Sequence, residues 1–335
     1  MKLAVVIPFY KLTFFADLLS ALAAQTDQDF VVYVGNDASV SEAEDICAQF
    51  RDRLDIRYHM FMDRLGDRDL AGQWNRCIER VEQADWIWVI PDDDLPSPDC
   101  VLEIRQAVRK ADNVAADVVH IPCTVVNADG DVLAERWDWP EIMPAGTFFL
   151  RQTRESMLTL TLANIVYRAD RLHAEGGFIS FPKAWGSDHA TMLAVAGEHP
   201  VVTVPRALLK FRMSSENISA QSSDYFEKLG ARLLFAQWLS EQSQRWYGTT
   251  TSMNIQHWYY FKSEHTVLCT WPFSFRSARI LFQIAEICGL RRNYRQMAGI
   301  MARGFLSRLR GLGRKGPEYI VTRSDADQEK AIYSQ

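Results

Sequence analysis

The sequence has 335 residues, 48% of them hydrophobic and 24% charged, and its formal net charge is −5. This composition is that of a globular protein and excludes a largely disordered chain. Its length fits one large domain, or one domain with a sizeable appendage.

The cysteines and the apolar runs favour the cytoplasm. Six cysteines, at positions 47, 77, 100, 123, 269 and 288, show no CxxC or metal-ligand spacing. They are interpreted as buried or incidental thiols in a reducing compartment. The apolar N-terminal run is too short for a signal peptide and ends at Pro8, and no apolar run reaches membrane-spanning length. We therefore expect a cytoplasmic protein without an integral membrane segment.

The first ninety residues alternate short apolar runs with helical periodicity. Strands are predicted over 3–9, 30–35, 55–60 and 85–90. Helices are predicted over 12–24, 41–50 and 70–83. The second of them begins at Ser41, which forms a capping box with Glu44, and ends at Phe50. Strands that alternate with helices predict an α/β fold with a mostly parallel sheet flanked by helices.

Beyond this region the pattern changes twice. The sequence predicts one strand over 116–126, a turn over 127–130 and a return strand over 131–134. From Asp224 onward it is mostly helical, and helices are predicted over 224–246, 253–268, 275–289 and 291–310. The break in periodicity near 215–223 divides the chain into an α/β domain, a helical C-terminal region and a flexible tail, with bounds 1–218, 219–320 and 321–335.

Three consecutive carboxylates, Asp92, Asp93 and Asp94, follow the apolar run 86–90. Because carboxylates repel one another, this cluster does not serve stability, but it suits a hard divalent cation held together with a phosphate. Asp37 follows the second predicted strand in the same way. The carboxyl ends of parallel strands share one edge of a sheet, where ligands bind, so both sites are expected to line one crevice. The alternatives are a solvated acidic loop for the triplet and a helix cap for Asp37.

Taken in order, the motifs of residues 1–215 resemble the family 2 glycosyltransferases, which have the nucleotide-diphospho-sugar (GT-A) fold. Where that family usually has Asp-Asp-Gly-Ser, this chain has Asn36-Asp37-Ala38-Ser39. The other matching segments are Val5-Val6-Ile7-Pro8-Phe9-Tyr10, Gln25-Thr26, Leu65-Gly66 through Asn75, and Asp92-Asp93-Asp94-Leu95-Pro96-Ser97-Pro98-Asp99. The resemblance makes residues 1–218 the catalytic domain.

The resemblance implies a donor site. It assigns Asp37 to the ring N–H of the nucleobase, with the segment Pro8, Phe9 and Tyr10 against the base. It places Asp93 near the ribose and makes Asp94 the ligand of a Mn²⁺ or Mg²⁺ ion that reaches the diphosphate. Pro91 occupies the family's first acidic position, so Asp92 and Asp94 are both candidate metal ligands.

Two arginines, Arg64 and Arg68, lie in the loop where some relatives place a cation for the diphosphate. Arg212, in the segment Lys210–Ser219, is a third candidate, which would reach the diphosphate or the acceptor. For the first two the alternative is a solvated surface arginine, and for Arg212 it is a structural salt bridge.

The resemblance also implies a catalytic base. Trp185-Gly186-Ser187-Asp188-His189 stands where the family places an acidic motif before a helix, and Gly176-Gly177-Phe178 precedes it. Inverting sugar transfer needs a carboxylate to accept the proton of the attacking hydroxyl. We therefore interpret Asp188 as the general base, with helix capping as its alternative. His189 is either a partner of that carboxylate or a helix surface residue.

The charge distribution is asymmetric. Between Arg276 and Lys315, ten basic residues stand against Glu286 alone, which gives +9 there and −14 for the rest of the chain. Basic amphipathic helices can bind an anionic membrane surface, where lipid-linked acceptors reside. The alternative is a helical subdomain whose arginines are solvated or pair with the acidic body. A nucleic-acid partner is not expected, because the acidic body would repel a phosphate backbone.

The resulting prediction is a metal-dependent inverting glycosyltransferase. It would transfer a sugar from a nucleotide-sugar donor to a glycan or lipid-linked acceptor in surface-polysaccharide synthesis, at the inner face of the membrane. One alternative is a nucleotidyltransferase of similar fold, although residues 11–14 lack the Gly-rich phosphate loop expected of it. Another is a catalytically inactive glycosyltransferase-like module that binds glycan or partners.

Overall fold

The structure, a computed structural model, describes residues 1–40, 42–135, 139–154, 160–213, 217, 224–269 and 274–290, with 298, 299, 302 and 306. Its strands are Leu3–Phe9 (β1), Phe30–Asn36 (β2), Ile56–Met60 (β3), Trp86–Val89 (β4), Leu95–Pro96 (β5), Val118–His120 (β6), Cys123–Val126 (β7), Val132–Ala134 (β8), Ile142–Pro144 (β9), Ile165–Arg168 (β10), Pro200–Thr203 (β11) and Leu209–Arg212 (β12). Its helices are Phe15–Ala23 (α1), Glu42–Ala48 (α2), Leu70–Ile78 (α3), Cys100–Asn113 (α4), Ala145–Arg154 (α5), Ala169–Ala174 (α6), Ser187–Ala196 (α7), Tyr225–Trp246 (α8), Thr249–Cys269 (α9) and Phe275–Ile287 (α10). Short 3₁₀ turns lie at Leu162–Asn164 and Pro182–Ala184.

An eight-stranded sheet forms the centre of the molecule, in the order β3-β2-β1-β4-β10-β6-β11-β9. β3, β2, β1 and β4 are parallel, β11 is parallel to β6, and β10 and β9 are antiparallel to their neighbours. β1 and β2 end in register at Phe9 and Asn36. We call the side of the sheet where β1, β2 and β4 end the carboxyl edge.

Both faces of this sheet are covered. Successive side chains of a strand point to opposite faces, and along β1 Ala4 and Val6 belong to one buried apolar cluster while Val5 and Ile7 belong to another. Helices on both sides are the usual environment of a parallel sheet, whose strands are therefore apolar throughout. The predicted α/β fold is confirmed.

The single strand predicted over 116–126 is wrong. It divides into β6, in the large sheet, and β7, which belongs to a four-stranded sheet of order β5-β12-β7-β8. The division lies at Pro122, which has no backbone N–H to donate to a ladder, while Ile121 donates its N–H to the Asn164 carbonyl at 2.7 Å. β5 follows the three aspartates directly and pairs with β12, so the small sheet brings Arg212 to the acidic motif.

The C-terminal helices pack into the same apolar cluster as one face of the large sheet. Phe235 of α8, Ile255 of α9 and Ile284 of α10 share this cluster with Phe149 and Phe181. Four parts of the prediction lie outside the described residues: the boundary near 218, the residues after Leu290 except four helical positions, the tail 321–335 and the capping residue Ser41. The division into domains therefore stays a prediction. Among the described helices, none is long and apolar enough to cross a membrane.

Candidate active site

Asp92 fixes the loop that follows β1. Its Oδ2 accepts hydrogen bonds from the backbone N–H groups of Tyr10, at 2.8 Å, and Lys11, at 2.7 Å. The hydroxyl of Ser39 donates to the Tyr10 carbonyl at 2.6 Å, which ties the same loop to the end of β2. The first aspartate of the triplet therefore bonds to protein backbone and sets the conformation of the loop beside the carboxyl edge.

Asp94 is a buried carboxylate with one unsatisfied oxygen. Its exposed fraction is 0%, and its Oδ1 accepts a hydrogen bond from the Arg212 N–H at 3.1 Å. Its Oδ2 is also buried and, within the described part of the chain, has no hydrogen-bond partner. A buried, unpartnered carboxylate oxygen is costly to leave in this state. It therefore marks a position where a cation would be stabilising.

The electrostatics of the motif agree with this geometry. Burial, followed by the charge of Asp92, raises the pKa of Asp93 to about 7. Burial, followed by the charge of Asp93, holds the pKa of Asp94 well above its ordinary value. Among the described residues, no group of three or more His, Cys, Asp or Glu side chains is placed to hold a metal ion. A divalent cation here would take few protein ligands, the arrangement Mg²⁺ uses when substrate phosphates and water complete its shell.

Arg212 binds carbonyl oxygens next to the acidic motif. Its guanidinium donates from Nε to the Asp93 carbonyl at 3.2 Å and from Nη1 to the Ala128 carbonyl at 2.8 Å. It also stacks on Phe14, 4.0 Å from the ring centroid. Asn217 donates to Asp93 Oδ2 at 3.4 Å and to the Arg212 carbonyl at 3.1 Å. These contacts join β12 to the backbone of the motif, and among the described residues the guanidinium bonds to carbonyls rather than to a carboxylate.

Asp37 is buried at the end of β2 and held on both oxygens. Oδ1 accepts from the Leu65 N–H and Oδ2 from the Gly66 N–H, each at 2.8 Å. Arg76 of α3 forms an ion pair with the same carboxylate and stacks on Phe61, with 4.0 Å to the ring centroid. A Cβ at residue 66 would lie 2.7 Å from Asp37 Oδ2, so the close approach of the loop requires glycine.

The other predicted donor residues differ in their exposure and contacts. Arg64 lies over the Tyr10 ring, at 4.2 Å, and pairs with Asp67, whereas the exposed Arg68 pairs with Asp63 at 3.3 Å. Pro8 is half-buried. The Phe9 side chain is fully buried against Phe15, and its carbonyl accepts the Asp37 N–H at 3.1 Å.

Two features of the surroundings of Asp37 could not be predicted from the sequence. Arg76 is the single charged residue within α3, but the sequence does not indicate its partner, because the pairing with Asp37 depends on the register of that helix. Asn36, which replaces the family's usual acid, donates to the Val40 carbonyl at 2.9 Å and to the Tyr58 hydroxyl at 2.8 Å. Through these hydrogen bonds Asn36 fixes the loop 37–40.

Asp188 lies in the first turn of α7. Gly186, with φ of 93°, is the N-cap residue and Asp188 is the second residue of the helix, so the structure does not support the capping alternative. Asp188 Oδ1 accepts from the His189 N–H at 2.8 Å and lies 3.1 Å from His189 Nδ1. The Asp188 side chain is 20% exposed. His189 is thus a partner of this carboxylate.

The chain path places Asp188 at the carboxyl edge. β11 runs parallel to β6 and begins at the edge opposite the carboxyl edge. Because α7 directly precedes β11, α7 begins at the carboxyl edge and ends at the opposite one. The segment before α7 also contacts the loop at the start of α3, where the Ser180 hydroxyl donates to Asp69 at 2.7 Å. Gly177 has φ of 88°, and a Cβ there would lie 2.5 Å from Asn75 Oδ1. This explains the second glycine of the predicted motif.

Comparisons with known proteins agree with this architecture. Residues 4–170, about half of the chain, match the model of Glycosyl transferase family 2. A comparison with curated proteins found no match. The structure is similar to that of residues 1–349 of S. aureus TarS, solved in complex with UDP-GlcNAc, with a TM-score of 0.67, 15% sequence identity and coverage of 92% of this chain and 89% of the other.

A structure of S. aureus TarS of greater length gives a TM-score of 0.64 and 14% identity, and 92% of this chain aligns with 54% of it. The present chain therefore spans about half of that TarS chain. At such low identity the likeness concerns the fold, whereas the family match concerns the sequence. This chain belongs to glycosyltransferase family 2 and is a glycosyltransferase with a GT-A fold.

Proposed function

We propose that this protein transfers one sugar from a nucleotide-diphospho-sugar to a hydroxyl of a glycan or lipid-linked acceptor, with inversion at the anomeric carbon. The observation that carries the proposal is the buried Oδ2 of Asp94 at the carboxyl edge, which has no hydrogen-bond partner among the described residues. It suits a site that is completed by a cation and a diphosphate, the groups that a nucleotide-sugar donor brings together.

The three aspartates would have different tasks. Asp94 would hold the divalent cation, Mn²⁺ or Mg²⁺, because its Oδ2 is unpartnered, and Asp93 would lie by the ribose. Asp92, whose Oδ2 already accepts two backbone N–H groups, would shape the loop that lies against the base. When bound, the cation would neutralise charge on the departing diphosphate.

Asp37, with Pro8 and Tyr10, would bind the nucleobase. Its Oδ1 already accepts from both Leu65 and Arg76, whereas Oδ2, which among the described residues accepts only from Gly66, can accept a further hydrogen bond. Oδ2 would accept the ring N–H of the nucleobase. Arg64 and Arg68, with Arg212 on the other side, would supply positive charge near the diphosphate.

Asp188 would accept the proton of the acceptor hydroxyl as the acceptor oxygen bonds to the anomeric carbon. The bond from that carbon to the diphosphate oxygen breaks on the opposite face, and a nucleoside diphosphate leaves. His189 lies 3.1 Å from the carboxylate and would hold its orientation. A single positioned base of this kind contributes about 10²–10⁴-fold to a rate.

A panel of UDP-, GDP-, dTDP- and CDP-sugars with Mn²⁺ tests the proposal. We expect donors with one base to raise the melting temperature, because a ligand at 100 times its Kd stabilises by about 2.7 kcal/mol, and to release nucleoside diphosphate on turnover. Release of pyrophosphate instead would favour a nucleotidyltransferase. Binding without any turnover would favour an inactive module, and no stabilisation by any donor would contradict the proposal.

The C-terminal helices suggest where the acceptor is met. Phe275 of α10 is 83% exposed, beside the exposed Arg276 and Arg279, at the start of the segment with net charge +9. We propose that this end of the protein binds an anionic membrane surface, where exposed aromatic and basic side chains combine favourably.

Sedimentation with lipid vesicles tests the membrane proposal. We expect binding to anionic vesicles but not to zwitterionic ones, with loss at about 1 M salt, where the Debye length is about 3 Å. Phe275→Ala should weaken binding, whereas Val132→Ala, which also removes an exposed apolar side chain, should not. If both variants sediment with anionic vesicles to the same extent as the wild type, the alternative of a helical subdomain with solvated arginines is favoured.

A further inference from the structure

The loop that leads into α7 has an unusual backbone. Lys183 has φ of 57° and Ala184 φ of 50°, and Gly186 follows with φ of 93°. Residues with a Cβ rarely adopt this left-handed conformation. Such a conformation persists only where the surrounding structure over-determines it, and it is often found at functional sites.

Helix α8 supplies much of that surrounding structure. Lys183 Nζ lies 3.7 Å from carboxylate oxygens of both Asp224 and Glu227, at the start of α8. A Cβ at Gly186 would lie 3.0 Å from the Phe235 ring. The Phe235 ring also packs on Phe181, with 5.7 Å between the ring centroids. The loop thus follows the surface of α8 at both of its ends.

Between these two contacts, two cations of α8 cover the Trp185 ring. Lys228 Nζ lies 5.1 Å and Arg232 Cζ 5.9 Å from the ring centroid, within the range of cation–π attraction. Both residues are buried, with exposed fractions of 1% and 8%. Arg232 also donates to the hydroxyls of Ser263 and Thr266 on α9, each at 3.3 Å.

This arrangement is costly if its only purpose is to fill space. Burial lowers the pKa of Lys228 because the charged form loses hydration there, and apolar side chains of similar volume often give a more stable core than buried charges. What the cations add is direction, because each is attracted to the face of the indole ring and not to its edge. They thereby specify one orientation for Trp185, three residues before Asp188.

We infer that α8 positions the Asp188 carboxylate by holding Trp185 beneath Lys228 and Arg232. This inference rests on the proposed function, in which Asp188 is the base. The link is short, since the Ser187 hydroxyl accepts the Phe181 N–H at 3.3 Å and closes the loop directly before Asp188. Trp185, Lys228 and Arg232 are thus positioning residues, and the C-terminal helices complete the active site.

Steady-state kinetics of Lys228→Met test the inference. We expect kcat to fall about tenfold or more, because small misplacements of a reacting group cost up to about 10²-fold, while the donor KM stays within about twofold. Arg245→Met removes a charge from an exposed site on the same helix and should leave both constants unchanged. A wild-type kcat for Lys228→Met would overturn the inference.

Lys228→Met in an Asp188→Asn background tests whether Lys228 acts through the Asp188 carboxylate or through the stability of the whole site. If α8 acts through the carboxylate, Lys228→Met should lower the residual kcat of that background by less than about twofold, because residues acting as one unit are strongly non-additive. Equal losses in both backgrounds would overturn the inference and leave the proposed function intact. Undiminished transfer by Asp188→Asn alone would instead contradict the proposed function.

Should Lys228→Met fail to fold, Trp185→Phe gives a milder test, because it keeps an aromatic face under the two cations while weakening the attraction. It is expected to lower kcat by about two- to tenfold and to keep the donor KM, and a wild-type kcat would overturn the inference. A loss of donor binding with kcat retained would contradict a positioning role.

Discussion

Asp188→Asn is expected to lower kcat for sugar transfer by about 10²–10⁴-fold while donor affinity stays within about twofold. A general base contributes this much to a displacement in which the attacking hydroxyl must lose its proton. Asparagine has the same shape, and its Oδ1 can still accept the His189 N–H that Asp188 accepts at 2.8 Å. The fall in kcat would therefore reflect the lost basicity and not an altered helix start. Nucleoside diphosphate release in the presence of acceptor measures it.

The chain offers a matched control for this substitution. Asp170 also lies in the first turn of a helix and its Oδ1 accepts the N–H of the next residue, Arg171, at 2.7 Å. It is exposed at the opposite edge of the sheet. Asp170→Asn should change stability by the same small helix-dipole contribution, about 0.3–1 kcal/mol, and leave kcat unchanged. Equal kcat values for the two variants would show that Asp188 is not the base.

The central strands and the acidic edge can be predicted from the sequence because they depend on local pattern. β1 occupies the predicted residues 3–9, since an unbroken apolar, β-branched run has few other uses in a chain of this size. The meeting of Asp37 with the acidic motif at one edge follows from strand direction alone. These inferences need no knowledge of side-chain partners.

The tasks of individual site residues cannot be predicted in this way, because they depend on contacts distant in sequence. Asp92 and Asp94 look alike in the sequence, yet one binds the backbone of Tyr10 and Lys11, 82 and 81 residues away, and the other keeps an unpartnered oxygen. Arg76 meets Asp37 across 39 residues. The periodicity of α8 likewise indicates a helix but not that its buried cations cover Trp185.

The difference between Asp92 and Asp94 gives the second large expected effect. Asp94→Asn should abolish the stabilisation of the protein by Mn²⁺ with donor, and transfer with it, because the unpartnered Oδ2 becomes an amide N–H₂ that cannot bind a cation. Asp92→Asn is the matched control, since it removes one charge two residues away. It should retain stabilisation by Mn²⁺, with weaker donor binding because the loop at Tyr10 is less firmly held. The reverse result would make Asp92 the metal ligand. Melting temperatures with and without Mn²⁺ decide between them.

The pH dependence of cation binding provides an independent measure of the same site. The pKa values of Asp93 and Asp94 are raised above the ordinary 3.8 of an aspartate, to about 7 for Asp93. Between about pH 4 and about pH 7 the folded protein therefore holds more protons than the unfolded chain. In this window the metal-free protein should lose stability as the pH rises, and the loss is complete above the folded-state pKa. A cation must displace these protons, so Mn²⁺ or Mg²⁺ should bind more tightly at about pH 7.5 than at about pH 6. Titration calorimetry should show proton release on binding by the wild type and none by Asp94→Asn. Binding that is independent of pH would mean that the cation does not contact this carboxylate pair.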